Sequence, residues 1–149
     1  MKKITEVKVK ILSVIENLDS HGLIEGDPER DESERDGFYN YSDGEVEITY
    51  SDVVEGTRIE SVISVVGDRV TVVRKGGITS ELLLVEGEEH TSLYGVPPYS
   101  FDVTVRTKRI RKTLDESGGT MDLLYKMSIG GQDKSARMKI WICPNSDKT

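Results

Sequence analysis

The residues best suited to chemistry are few, and their spacing does not serve it. The chain has two histidines, His21 and His90, and one cysteine, Cys143. A zinc site needs three or four His, Cys or carboxylate ligands converging on one point, and no such spacing appears. His90 follows Glu88 and Glu89 at a turn, where it reads as a solvated side chain, with a weak surface metal contact as the alternative. The same shortage argues against Ser-His-Asp and Cys-His nucleophile sites, which need a histidine aimed at the nucleophile. Cys143 precedes Pro144 and shares a phase with Trp141, which reads as packing. The pairs Gly76-Gly77, Gly118-Gly119 and Gly130-Gly131 lie between strand patterns, whereas a phosphate cradle needs glycines that lead into a helix. They read as hairpin turns. No catalytic residue, metal or cofactor is expected, and binding without catalysis is the favoured class over an enzyme.

Four residues stand out as candidates for holding a ligand: Arg74, Tyr50, Tyr125 and Tyr94. Arg74 continues the inward phase of Val70 and Val72, which would put a guanidinium at a barrel mouth. Burying it unpaired is costly, so a carboxylate, a carbonyl or a bound anion should meet it. The structural reading is an ion pair that closes the barrel end. Tyr50 and Tyr125 share the inward phase and either fill the lumen or orient a ligand with their hydroxyls. Tyr94 ends a strand before Gly95.

Two charged stretches qualify this picture. Residues 25–36 (EGDPERDESERD) carry seven acids and two bases, much of the formal charge of −7. Such a run reads as a solvated loop, with a basic partner or a divalent cation as the functional alternative. Arg106, Lys108, Arg109, Arg111 and Lys112 form the one basic stretch. If the strand keeps its phase, Arg106 and Lys108 point outward and could touch phosphates or RNA. No aromatic interleaves these bases and the chain is acidic overall, so a solvated strand end is the favoured reading.

The elements that would position these residues are strands. Thr5, Val7, Val9, Ile11, Ser13 and Ile15 alternate with Glu6, Lys8 and Lys10, the period of a half-buried strand. The same rhythm returns through Val46–Tyr50, Ile59–Val65, Val70–Arg74, Ile78–Leu84, Phe101–Thr107, Met121–Ile129 and Met138–Ile142. Gly-rich or Asp-rich turns separate about nine or ten such strands. Only residues 17–36 break the pattern, and they are expected to form a long loop with one short helical turn near Asn17–Ile24. Short consecutive connections predict an antiparallel up-and-down meander. A meander this long must close or split into two sheets, and the long single-phase runs favour closure into a small barrel over a Greek-key sandwich.

Three segments carry a family resemblance: ITYSDVVEGTRIESVISVVGDRVTVVRKGG, SLYGVPPY and GGTMDLLYKMSIGG. The chain resembles the YwiB-like bacterial proteins from residue 5 to residue 142. The resemblance implies a calycin-type, lipocalin-like barrel and supplies no established activity or catalytic residue. The family pattern continues Tyr-x-Thr-Pro-x-Gly after Tyr94, whereas this chain has Val96 before its prolines and Tyr99 in place of the glycine.

At 149 residues the whole chain is expected to be one domain, with residues 144–149 as a tail. One cysteine and no signal-like segment point to the cytoplasm. The partners expected are a small apolar or amphipathic ligand or a protein, with no membrane. A second copy of the chain is a further candidate, because Val62, Leu83, Val85, Leu124 and Trp141 fall on the outward phase and would form an exposed apolar patch if their strands were neighbours.

Overall fold

A computed structural model describes residues 3–96 and 98–145. Ten strands follow one another: β1 (Lys3–Leu18), β2 (Ile24–Ser42), β3 (Glu45–Val54), β4 (Thr57–Val66), β5 (Arg69–Gly76), β6 (Thr79–Val85), β7 (Glu89–Val96), β8 (Tyr99–Asp115), β9 (Gly118–Ile129) and β10 (Gln132–Pro144). Each pairs antiparallel with its neighbours in sequence, and β1 pairs with β10 to close the barrel. Closure removes the open edges that a long meander would otherwise expose. Each period-two run points its apolar set inward, so Val7, Val9, Ile48, Ile63, Val70, Leu84, Leu123 and Ile140 meet in one core.

Residues 17–36 do not form a loop with a helical turn. Residues 24–36 are the first part of the 19-residue β2, paired to β1 from Leu18↔Ile24 through Lys8↔Asp36. A tight hairpin turn replaces the helical turn, with the Asp19 carboxylate accepting hydrogen bonds from the His21 and Leu23 backbone N–H groups at 2.8 and 3.0 Å. The reason the alternation vanished from the sequence is visible in the burial. Residues 21–30 are exposed, so neither face of this hairpin has a core to select apolar side chains. Two of the acids meet lysines of β1 instead: Lys8 Nζ lies 2.6 Å from Asp36 and Lys10 Nζ 3.9 Å from Glu32. These exposed pairs order the hairpin more than they stabilise it.

β8 does not keep one phase either. Its register against β9 slips between Thr107 and Arg109, a bulge that leaves Lys108 without an opposite residue. Pro144 belongs to β10, and the Asn145 N–H donates to the Glu6 carbonyl at 3.0 Å, so a tail beginning at 144 starts too early. Residues 146–149 lie outside the described residues.

The five outward apolar residues do not share a face. Trp141 stands opposite Thr120, and Leu124 opposite Arg137, while Val62 and Leu83 lie on β4 and β6, away from β9 and β10 around the barrel. Val85 is 5% exposed. The apolar area that would have drawn a second copy onto one face is therefore divided.

Candidate functional site

The sheet register assembles residues that the sequence kept apart. One cross-strand row runs from Gly37 to Tyr50, Ser61, Arg74, Ser80, Tyr94 and Phe101. It crosses β2 to β8, so Tyr50, Arg74 and Tyr94 stand at one level of the barrel wall. Gly37 begins the row because a Cβ there would sit 2.5 Å from the Thr49 carbonyl oxygen. A larger residue would push β3 away at the point where β2 turns out of the barrel.

Behind this row lies a cavity of about 620 Å³, in the size range of small-molecule sites. Its walls are mainly apolar, with Val72, Leu82, Val103, Met127, Ile129 and Met138 among them. Arg74, Tyr94 and Tyr125 all reach it. Tyr50 does not. It borders an adjoining pocket of about 150 Å³ that shares Arg74, Ser13 and Asp31 with the cavity. Phe101, placed inward by its phase, is 44% exposed at the cavity rim, because β7 and β8 project past the wall there.

Arg74 makes no hydrogen bond and no ion pair within 4 Å among the described residues. Asp52, which feels the Arg74 charge, is already engaged: it accepts a hydrogen bond from Arg35 Nη2 at 3.0 Å. That contact holds the Asp52 carboxyl below its ordinary range, with burial opposing and the charge of Arg74 a smaller contribution in the same direction. Tyr125 faces Arg74 from β9. It is 4% exposed, and its hydroxyl has no partner among the described residues. Burial raises its pKa, and the Arg74 charge pulls it partly back. Beside Tyr125 in register stands Thr107, 1% exposed, whose Oγ1 is buried without a partner.

Ser13, Ser61 and Ser80 were missed as site residues, although a signal was available. Each interrupts an inward apolar phase with a hydroxyl, and together they mark the polar end of the lumen. Asp31 was hidden by the assignment of residues 25–36 to a loop. His90 lies in β7 opposite Val105, past the turn the sequence suggested, with its Nε2 2.9 Å from Glu88 Oε1, and among the described residues no three His, Cys, Asp or Glu side chains converge as metal ligands.

A family model described as "Domain of unknown function (DUF1934)" matches residues 17–142. The chain belongs to that family. A relative, the "Uncharacterized beta-barrel protein YwiB" of Bacillus subtilis (strain 168), is 25% identical over 134 residues, covering 90% of this chain and 89% of the relative. The crystal structure of the ywiB protein from Bacillus subtilis superimposes with a TM-score of 0.82 at 24% identity, covering 96% of this chain and 94% of that one. The ten-stranded closed barrel is thus the fold of a solved structure, and the DUF1934 description assigns it no activity.

Proposed function

We propose that this DUF1934 barrel is a non-catalytic binding protein whose lumen holds one small amphipathic molecule, its apolar part in the cavity and its anionic end on Arg74. The observation that carries the reading is the unpaired guanidinium at an apolar cavity of about 620 Å³. Arg74 is half-buried, and a carboxylate would both neutralise its charge and accept hydrogen bonds from its planar fork. The free Tyr125 hydroxyl supplies a further donor from the opposite wall. Asp31 and Glu81 at the cavity edge disfavour a polyanionic head and favour a single negative charge. Cytoplasmic location is part of the same proposal. No helix of the described residues is long and apolar enough to cross a membrane.

Calorimetric titration with a medium-chain fatty acid and with the matching alcohol tests this reading. The acid should bind the more tightly, and Arg74→Gln should weaken it by roughly tenfold to a hundredfold, the value of a hydrogen bond to a charged group. The alcohol should be unaffected by that substitution. Failure of both probes to bind would defeat the lumen reading, and equal binding of both would remove Arg74 from it.

A further inference from the structure

The bases of β8 looked isolated in sequence, but the barrel surrounds them with others. Along the outer face of β8, β9 and β10, Arg106 stands opposite Lys126. The next row carries Arg109, Leu124 and Arg137, and the one after it Arg111, Asp122 and Lys139. Like charges directly opposite one another on a sheet destabilise it. Asp122 offsets them in part and is engaged with Arg137 through two hydrogen bonds of 3.1 and 2.7 Å, and the Glu86 carboxylate reaches in from the β6–β7 turn to accept from the Ile110 N–H at 2.8 Å. Glu89 flanks Arg106 on β7 without an ion pair within 4 Å among the described residues, and Asp133 lies at the far end of the face. A chain of net charge −7 has therefore concentrated positive charge on three adjacent strands.

The missing aromatic is also present. Trp141 lies on β10 one row beyond Lys139 and is partly exposed. The ammonium groups of Lys139 and Lys10 sit 5.2 and 5.6 Å from its ring centroid. Both lysines lie over the indole ring, so a base would stack on the face that a lysine vacates as it moves to a flanking phosphate, Lys10 leaving Glu32 at 3.9 Å to do so. The β8 bulge, which leaves Lys108 exposed and outside the regular pairing, adds a further cation to the same face.

We infer that this face binds single-stranded nucleic acid, with the arginines and lysines of β8–β10 on phosphates and Trp141 on a base. The site is on the outer surface and independent of the lumen. Fluorescence anisotropy with labelled oligouridylate and oligothymidylate tests it. If about four phosphates are neutralised, the logarithm of affinity should fall with the logarithm of salt at a slope of about −2.8, roughly fiftyfold between about 50 and 200 mM. Arg109→Glu with Lys126→Glu should weaken binding and flatten that slope by about 0.7 for each phosphate no longer neutralised. Trp141→Ala should weaken binding roughly five- to 150-fold with the slope unchanged. Arg74→Gln should change nothing. Tighter binding of the uridylate would mark RNA, and of the thymidylate DNA. The inference is overturned by absence of binding at about 50 mM salt. It is equally overturned by indifference to the double charge reversal, or by polyglutamate displacing the oligonucleotide while Trp141→Ala has no effect, since the occupant would then be an acidic polypeptide.

Discussion

Arg35 and Asp52 form an ion pair of 3.0 Å across the place where two strands part company. The last backbone pair between β2 and β3 is Gly37↔Tyr50, and beyond it the guanidinium and the carboxylate span the gap at the lumen mouth. This pair has two consequences: it ties the outgoing half of β2 to the barrel, and it engages an acid that feels the Arg74 charge.

The pair should be read out by pH. Asp52 is depressed below its ordinary value, first by the hydrogen bond from Arg35. Its contribution is therefore complete above the usual carboxylate pKa of about 4 and is lost as pH falls through the lowered folded value. Both side chains are about one-third exposed, so solvent screening keeps the contribution below about 1 kcal/mol. Denaturant titrations of wild type and Asp52→Asn between about pH 6 and 2.5 should converge at the acid end. A constant difference between them across that range would show that the pair is not what Asp52 contributes.

Removing residues 27–35 should be severely destabilising, by at least about 3 kcal/mol. The segment supplies the ladder along β1 from Val9 to Ile15, and it contains an odd number of residues. Deleting it would turn the following side chains, including the fully buried Tyr39, to the opposite face unless the register is rebuilt. Tyr39 also donates to the Asp115 carbonyl at 2.7 Å. Asp31→Asn with Glu32→Gln and Glu34→Gln, which keeps the strand and removes its charge, should change stability by less than about 1 kcal/mol. Urea unfolding of both variants separates a strand from a solvated charge run.

Gly119→Ala should cost roughly 2 kcal/mol or more, whereas Gly130→Ala should cost about 1. Both glycines have positive φ, 137° and 57°. At Gly119 an added Cβ would meet the Thr113 carbonyl oxygen across the β8–β9 pair, while at Gly130 it would meet nothing within 4 Å. Equal melting-temperature losses would mean that conformation alone, without the close approach, makes Gly119 necessary.

The alternation of apolar and polar residues was enough to read strands, their number and a closed meander, because every core strand has one face chosen by water and one by the lumen. It also placed Arg74, Tyr50 and Tyr125 inward, since phase is a local property. It failed at residues 24–36, where the strand is exposed on both faces as far as Glu32 and its inward side chains beyond that are polar (Ser33, Arg35), so no apolar periodicity is selected. It failed again at Lys108, where one extra residue shifts the phase of β8. Only the tertiary structure could set the register, and register is what put Tyr50, Arg74 and Tyr94 in one row, engaged Asp52 with Arg35, and set Arg106 opposite Lys126. Residues far apart in the chain become neighbours only when the barrel closes, so the unpaired guanidinium and the crowded cations are properties of the fold and cannot be read from any one strand.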